Sequence, residues 1–379
     1  MTSPGAAPIL GRSGGAFLTF DAIETPAVLV DLDVVLRNVA AMAERARRRG
    51  VRLRPHAKTH KIVEIGRMQL AAGASGLSVA KATEAEVFAA AGFDDLFVAY
   101  PVVGEDKGRR LLALADRVRL AAGVDSPDGA RTLDAVFRAS GCRLDVMLKV
   151  DVGFHRVGVS PDRAVEVAQS IADLSGLRLR GVFTHAGHAY LADSPEGVTR
   201  VGLSEGSSLV ETAQRVRDAG LEIEEVSVGS TPTAAHAMTV KGVTECRPGN
   251  YVYHDASQVS LGTCALEDCA LTVLATVVSV PAPDRAVVDA GSKTLSSDPL
   301  RPRGAGFGFV VGRRSRVARL SEEHGVIEVA AGEGFRVGER VRILPNHACV
   351  VSNLHDRVLA IRAGVVEGEL AVAARGCVR

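Results

Sequence analysis

Short apolar segments alternate with longer segments of helical periodicity through the first two thirds of the chain. The segments between them, for example 34–49, 83–91 and 204–219, have helical spacing and end near glycines, as helices often do. About eight repeats of strand and helix over roughly 230 residues are typical of a parallel (β/α)8 barrel, an α/β fold. The eight predicted strands are 27–30, 51–53, 76–79, 96–99, 118–121, 144–148, 179–183 and 223–228.

The pattern changes after about residue 257. The apolar runs there are short, β-branched and separated by turns rich in proline and glycine, which predicts a second, mostly β domain. Its clearest predicted strands are 271–280, 286–289, 325–329 and 340–344. We therefore predict a barrel at 24–256 and a β domain at 257–379. Residues 1–23, rich in glycine, are expected to form a loose arm that packs, if it packs at all, on the β domain.

Composition narrows the classes of partner. The 45 lysines and arginines nearly cancel the 44 aspartates and glutamates, and no long basic cluster occurs, so neither nucleic acid nor an anionic membrane is expected as partner. A small molecule is the expected ligand. Six scattered cysteines do not form a secreted disulfide framework, no apolar run approaches the length of a membrane span, and the N-terminus does not resemble a signal peptide. These features predict a cytoplasmic protein with reduced thiols.

Lys58 follows the second predicted strand. In a barrel of this type the loops at the C-terminal ends of the strands build the active site, so this position favours a functional lysine. Pro55 restrains the backbone, and the neighbouring cations Arg54, His60 and Lys61 would lower the pKa of a partly buried amine. A neutral amine is the nucleophile that imine formation requires. The alternative is an exposed basic turn.

Two later loops carry groups suited to phosphate. Gly229, Ser230 and Thr231 follow the last predicted strand, where backbone amides and hydroxyls can hold a dianion. Asn250 and the hydroxyl of Tyr251, at the end of the predicted barrel, could complete the same pocket. Each loop could equally be a plain turn, the second one a connection between domains.

Two further strand ends carry cationic or aromatic polar groups. Arg156 lies on a glycine-rich loop and suits a phenolate or a carboxylate, although a salt bridge to a nearby acid is the simpler interpretation. His185 and His188 follow the next strand. A metal site there would need ligands that the local sequence does not supply, so an imidazole stacked on a planar cofactor is at least as well supported.

The β domain contains one candidate metal pair. His347 and Cys349 are two residues apart, which in an extended segment places both side chains on the same side. Nitrogen and thiolate ligands together suit zinc, and two protein ligands leave positions open for water or substrate. A histidine beside a core cysteine is the alternative. The pair Cys264 and Cys269 is a weaker candidate because no second pair follows it.

Six motifs, taken in order, closely resemble the D-serine dehydratase and D-threonine aldolase family. The resemblance extends from about Thr25 to Asp356. It implies an alanine-racemase-like fold, with a barrel and a β domain, and it implies pyridoxal phosphate and a divalent metal as cofactors. The motifs are RPHAKTHK at 54–61, DVGFHRVG at 151–158, THAGH at 184–188, SVGSTPT at 227–233, RPGNY at 247–251 and PNHAC at 345–349.

The resemblance also implies roles for individual residues. Lys58 matches the lysine that holds pyridoxal phosphate as a Schiff base and acts as the base at Cα, and the 229–231 loop with Tyr251 matches the phosphate contacts. His347 and Cys349 match the metal ligands. Aldolases of this family commonly have aspartate at the second ligand position, whereas the zinc-containing dehydratases have cysteine.

Cys349 therefore favours a dehydratase acting on D-serine or 3-hydroxy-D-aspartate and releasing a 2-oxo acid and ammonia. The alternatives are an aldolase that yields glycine and an aldehyde, an amino-acid racemase, and a non-catalytic carrier of the cofactor. The racemase-like fold also implies a homodimer, because in that fold the active site lies between a barrel and the partner's β domain.

Overall fold

The computed structural model describes residues 20–300 and 306–379, which form two sheets with associated helices. The strands are β1 Ala27–Asp31, β2 Arg52–Leu53, β3 Leu77–Val79, β4 Asp95–Pro101, β5 Arg119–Val124, β6 Leu144–Lys149, β7 Leu177–Phe183, β8 Glu225–Val228, β9 Glu245–Cys246, β10 Leu271–Ala282, β11 Arg285–Val288, β12 Gly308–Val310, β13 Arg316–Leu320, β14 Gly325–Glu328, β15 Arg340–Pro345, β16 Arg357–Arg362 and β17 Val365–Ala371. The helices are α1 Leu32–Arg49, α2 Val63–Ala71, α3 Ala82–Ala90, α4 Glu105–Ala115, α5 Pro127–Ala139, α6 Ala164–Ala172, α7 Pro195–Asp218, α8 Ala234–Ala237, α9 Ala256–Ser260, α10 Ser292–Leu295 and α11 Ala348–Leu354.

The first sheet is the predicted barrel. Its eight strands are parallel and lie in the order β2-β9-β8-β7-β6-β5-β4-β3, and a parallel bridge between His56 and Ser78 joins the two edge strands. Helices connect most successive strands, as the alternation in the sequence predicted. Their apolar faces cover the barrel, so the strands are buried on both sides, as is usual for parallel sheets.

The prediction that residues 27–30 form the first barrel strand is wrong. This segment is a strand, β1, but it pairs antiparallel with β10, where Ala27 is opposite Leu274, and parallel with β16, where Leu29 is opposite Leu359. The eighth barrel strand is instead β9. It is only two residues long, too short to show a periodicity, and an apolar run such as residues 27–30 suits the interior of either sheet. The predicted domain boundary at residue 256 stays a prediction.

The second sheet has nine strands in the order β11-β14-β13-β12-β15-β10-β1-β16-β17. It contains all four strands predicted most clearly after residue 257, so the β character of this part is confirmed. The predicted arm falls mostly on residues 1–19, outside the described residues. Phe20 and Ile23, at its end, pack with Leu274 and Ile361 of the second sheet.

Two further sequence-based expectations can be compared with the structure. All six cysteines are free thiols, as the composition predicted. Within residues 20–300 and 306–379, no helix has both the length and the apolar character required to span a bilayer.

Candidate active site

A cavity of about 400 Å³ lies at the C-terminal ends of the barrel strands, and loops of the second sheet form part of its wall. It brings together most of the predicted site residues, but Tyr251, His188 and the weaker candidate pair Cys264 and Cys269 do not line it. The predicted residues that line it are Lys58, Arg156, His185, Gly229, Ser230, Thr231, Asn250, His347 and Cys349, joined by others that include His56, Thr59, Lys149, Tyr190, Arg247, Asp255 and Asp298.

Lys58 lies on a single 3-10 turn, Ala57–Thr59, directly after β2. Its side chain reaches the cavity and is half-buried. Burial is the main cause that lowers the pKa of the Lys58 amine, and the nearby Arg156 lowers it further, although the charge of Cys349 acts in the opposite direction. The expected lowering is thus present, and it shifts the amine toward the neutral form.

The lowering does not come from the sequence neighbours that we expected to cause it. The buried guanidinium of Arg54 donates to Asp95 at 2.6 Å and to Glu245 at 2.8 Å, so carboxylates neutralise it within the barrel. The amine of Lys61 lies 4.0 Å from the buried carboxylate of Glu84. Neither cation lines the cavity. The relevant cations come from distant parts of the sequence, which spacing alone could not reveal.

The 229–231 loop places small groups against the cavity. Gly229 has a φ of +142°, and a Cβ there would lie 2.6 Å from the backbone nitrogen of Arg247, so only glycine fits. Ser230 and Thr231 follow it and line the cavity. The loop therefore supplies hydroxyls and backbone at the position predicted for a phosphate.

A buried carboxylate that we did not predict holds this loop. Glu205 of α7 accepts hydrogen bonds from the backbone nitrogens of Gly229 (3.0 Å) and Ala186 (3.3 Å) and from the hydroxyl of Thr233 (2.6 Å). The sequence did contain a signal for it. Glu205 occupies the apolar face of α7 at helical spacing from the buried Leu209, and a carboxylate on such a face needs buried donors.

The second predicted loop contributes Asn250 but not Tyr251. Asn250 lines the cavity and donates to Asp255 at 2.6 Å. The Tyr251 side chain is buried behind the cavity, where its hydroxyl accepts from the side-chain nitrogen of Gln69 at 3.1 Å. Burial raises the pKa of that hydroxyl. The hydroxyl of Tyr251 thus does not reach the 229–231 loop. Only its backbone nitrogen does, donating to the hydroxyl of Thr231 at 3.1 Å.

Arg156 is a cation at the cavity wall. Its guanidinium lies 4.7 Å from the ring centroid of Phe154, and within the described part of the chain no carboxylate forms an ion pair with it. The acid nearest in sequence, Asp151, instead accepts hydrogen bonds from the backbone nitrogens of Gly153, Phe154 and His155. The salt-bridge alternative is therefore not observed, and the cation is available to an anionic ligand.

His185 is a neutral ring at the cavity, whereas His188 does not line it. Nδ1 of His185 lies 2.9 Å from the carbonyl oxygen of Gly229, so this nitrogen carries the proton and donates it. Burial, and then the charges of Lys58 and Lys149, lower the pKa of His185 well below its usual value. Among the described residues no group of three side chains suited to a metal ion occurs.

Two buried cations in the cavity wall had been assigned no role. The guanidinium of Arg247 donates to the hydroxyl of Ser227 at 2.8 Å and to the carbonyl of Thr184, and its centre lies 5.1 Å from the ring centroid of Phe183. Lys149 lies at the end of β6, and its amine is 4.5 Å from the same ring. Burial lowers the pKa of both groups. Their positions at strand ends were the available signal.

His347 and Cys349 are close together, but for a reason other than the predicted one. The segment is not extended: β15 ends at Pro345, His347 caps α11 and Cys349 lies in its first turn. Both side chains line the cavity, and Nδ1 of His347 lies 2.6 Å from the carboxylate of Asp298. Burial disfavours the charged ring, but Cys349 and Asp298 outweigh it and raise the pKa of His347 to about 11.

These donors fit a divalent metal. Because Nδ1 of His347 is engaged by Asp298, Nε2 is the ring nitrogen left for a metal, and a carboxylate on the other nitrogen is the usual partner of a metal-bound imidazole. The sulfur of Cys349 is the second donor, and two protein ligands leave positions open. No local pattern pointed to Asp298, which lies 49 residues before His347.

Two family models match the chain. "Alanine racemase, N-terminal domain" matches residues 30–257, and "Putative serine dehydratase domain" matches residues 270–361. The chain is 39% identical to D-threo-3-hydroxyaspartate dehydratase of Delftia sp. (strain HT23), with 86% of this chain and 91% of the relative covered. It is 33% identical to D-threonine aldolase of Arthrobacter sp, with 93% of each covered. It is 32% identical to D-serine dehydratase of Dictyostelium discoideum, with 87% and 91% covered.

Solved structures agree with these matches. The Delftia dehydratase superposes with a TM-score of 0.88 at 38% identity, covering 93% of this chain and 98% of that one. D-threonine aldolase from Filomicrobium marinum gives a TM-score of 0.89 at 32% identity, covering 97% and 100%. A further solved structure is a cysteine-to-alanine mutant of D-threo-3-hydroxyaspartate dehydratase in a metal-free form, with a TM-score of 0.88 at 38% identity. The matches span both sheets and the cavity that lies between their loops.

Proposed function

Because this chain belongs to the family of D-serine dehydratase and D-threonine aldolase, alanine-racemase-like lyases that depend on pyridoxal phosphate, we propose that it is a metal-dependent dehydratase of D-3-hydroxy amino acids. D-serine and 3-hydroxy-D-aspartate are the proposed substrates, and a 2-oxo acid and ammonia the products. One observation carries the proposal. A lysine with a lowered pKa and a histidine–cysteine pair lie in the wall of the same cavity.

The cavity residues fit pyridoxal phosphate. We propose that Lys58 holds it covalently through its amine, and that Ser230, Thr231 and Asn250 bind its phosphate together with the backbone of Gly229. Glycine is required at position 229 because an added Cβ would lie 2.6 Å from the backbone nitrogen of Arg247. Arg156 has no carboxylate partner among the described residues, and we propose that it contacts the phenolic oxygen of the cofactor. The neutral ring of His185 would lie against one face of the cofactor.

The chain itself supplies the base. When bound, pyridoxal phosphate supplies an electron sink for the electron pair left at Cα. With the amino group of the substrate bound to the cofactor, the Lys58 amine would be free to accept the α-proton. The lowered pKa of Lys58 shifts its amine toward the neutral form, which is the form that accepts a proton.

The second half of the site faces the β-carbon. We propose that His347 and Cys349 hold a divalent metal, zinc by the nature of its ligands, which would supply Lewis acidity toward the β-hydroxyl. Asp298 fixes the ring of His347, and Thr59 contacts the sulfur of Cys349 at 3.3 Å. Cysteine rather than aspartate at the second position favours dehydration over aldol cleavage, following the ligand difference within the family.

The products distinguish the two lyase reactions. The purified protein is incubated with D-serine, D-threonine and 3-hydroxy-D-aspartate, and 2-oxo acid and ammonia are measured against glycine and aldehyde. We expect 2-oxo acid as the main product, and glycine as the sole product would contradict the proposal. Lys58→Ala should abolish turnover and the absorbance band near the visible edge. Lys241→Ala, at an exposed position, should retain both.

An aldolase is the second candidate, because D-threonine aldolase of Arthrobacter sp is 33% identical to this chain over 93% of its length. A racemase is less well supported. Racemases of this fold use a tyrosine from the second domain as the opposing acid, and all four tyrosines of this chain precede residue 257.

We also propose a cytoplasmic homodimer with the site near the partner's β domain. Light scattering of the purified holoenzyme tests the dimer, and a monomeric mass with full activity would contradict it.

A further inference from the structure

The turn that carries Lys58 is attached to the helix that carries Cys349. The sulfur of Cys349 lies 3.3 Å from the hydroxyl of Thr59, and three residues later in α11 the hydroxyl of Ser352 donates to the carbonyl of His60 at 3.0 Å. Thr59 and Ser352 are both buried. Two hydrogen bonds therefore join α11 to the Lys58 turn, and only the first one involves a proposed metal ligand.

The hydroxyl of Thr59 forms a hydrogen bond with the sulfur of Cys349. Within the described residues the sulfur of Cys349 is its only hydrogen-bond partner. The hydroxyl also fits closely against the chain at Gly249, where an added Cβ would come within 2.8 Å of its oxygen. A threonine at this position therefore holds its oxygen against the sulfur, and the absence of a side chain at residue 249 makes this possible.

The direction of this hydrogen bond depends on the state of the sulfur. With a thiol, Cys349 donates to the oxygen of Thr59, as the structure shows. A thiolate bound to a metal has no proton and can only accept, whereas a hydroxyl can act as donor or acceptor. The same contact can therefore persist after metal binding, with Thr59 as the donor.

We propose that Thr59 is a positioning residue of the metal site, which holds the sulfur of Cys349 by donating its hydroxyl proton to the metal-bound thiolate. The inference rests on the proposed metal site at His347 and Cys349. A hydrogen bond to a ligand sulfur stabilises its negative charge and fixes its orientation. Because Thr59 directly follows Lys58, it also fixes the metal ligand relative to the amine that takes the α-proton.

Zinc affinity tests the inference independently of turnover. The holoenzyme competes with a chromophoric chelator for zinc, and the dissociation constant is measured for the wild type, Thr59→Val and Thr59→Ser. Thr59→Val keeps the size of the side chain but removes the hydroxyl, so we expect zinc to bind about tenfold more weakly. Thr59→Ser keeps the hydroxyl and should remain close to the wild type.

Ser352→Ala is the matched control. It removes the other hydrogen bond between α11 and the Lys58 turn without touching the sulfur. If Thr59 acts on the sulfur, Ser352→Ala binds zinc like the wild type. An equal loss of affinity in both variants would mean that Thr59 only docks the helix, and would overturn the inference.

Cobalt substitution provides a direct signal from the sulfur. In the Co²⁺-loaded protein the thiolate-to-metal charge-transfer band should move to lower energy in Thr59→Val, because an unbonded thiolate is the better electron donor. The band should stay unchanged in Ser352→Ala. An unchanged band and an unchanged zinc affinity in Thr59→Val would overturn the inference while leaving the metal site in place. A wild-type protein that binds no zinc would overturn the metal site itself.

Discussion

The carboxylate of Asp298 lies 2.6 Å from Nδ1 of His347 and joins the loop after α10 to the start of α11. This contact fixes the ring so that Nε2 is the nitrogen available to a metal. Partners of this kind usually contribute 10- to 100-fold to metal affinity. Asp298→Ala should therefore raise the zinc dissociation constant about tenfold, measured by chelator competition. Asp284→Ala, in the exposed turn between β10 and β11, is the control and should leave the constant unchanged.

Glu205 should stabilise both the fold and the 229–231 loop. Glu205→Ala leaves three buried donors without their acceptor, so we expect the free energy of unfolding to fall by about 3 kcal/mol and pyridoxal phosphate to bind more weakly. Urea denaturation and fluorescence titration with the cofactor measure the two effects. Glu211→Ala, at an exposed position of the same helix, should change stability by less than about 0.5 kcal/mol. Equal effects of the two variants would contradict this role.

Arg54 should be a stability residue rather than a residue of the active site. Arg54→Met leaves the buried carboxylates of Asp95 and Glu245 without their shared cation, so we expect a loss of about 3–5 kcal/mol in urea denaturation. The control is Arg109→Met, which breaks only an exposed pair with Glu105 and should cost less than about 1 kcal/mol. If the refolded Arg54→Met protein kept its stability but lost the pKa shift of Lys58, the assignment would be wrong.

Buried histidines should make the protein sensitive to acid. Burial lowers the pKa of His60 from its usual 6.5 to about 4, so between these values the unfolded chain takes up a proton that the folded chain does not. Stability is complete above about pH 6.5 and falls as the pH drops toward 4, by about 3 kcal/mol for this ring alone. Urea denaturation across this range should show a shallower pH dependence in His60→Gln. The exposed His324→Gln should behave like the wild type.

The identity of the second metal ligand should control both the metal and the product. Cys349→Asp replaces a soft sulfur donor by a hard oxygen donor, so we expect preference to shift from zinc toward harder divalent ions such as Mn²⁺. The ratio of glycine to 2-oxo acid should rise by about tenfold, equivalent to about 1.4 kcal/mol in relative barriers. Metal analysis and product assays measure the two changes. Cys377→Asp, near the C-terminus and away from the cavity, should change neither.

The sequence was sufficient to predict most of the strands and helices, but not which strands pair with one another. Periodicity located β2 to β8 and the longer helices, because parallel strands and amphipathic helices have patterns within single segments. It could not show that β1 pairs with strands more than 240 residues away, or that the two-residue β9 completes the barrel. Strand pairing depends on tertiary packing, which a local pattern does not contain.

The same limit of local patterns applies to the candidate active site. Residues within recognisable motifs, such as Lys58 and Cys349, line one cavity as the sequence predicted, but the sequence did not reveal several side chains from other segments that contact this site. Asp298 has no local motif, and Glu205 is marked only by its place on the apolar face of α7. The hydroxyl of Tyr251 contacts Gln69 instead of the cavity, which the motif did not reveal. The cations that lower the pKa of Lys58 are likewise distant in sequence, so the direction of the shift was predictable and its origin was not.

The position of β1 has a consequence for synthesis on the ribosome. Its apolar residues are translated before the barrel, yet both neighbouring strands, β10 and β16, are translated after the whole barrel. The nascent barrel can form first, while β1 remains an unpaired apolar strand near the N-terminus until residues 271–274 and 359–361 have left the exit tunnel. A ribosome stalled after residue 257 has left the exit tunnel, but before residue 271 has, would therefore present a complete barrel attached to an exposed strand, a binding site for a chaperone.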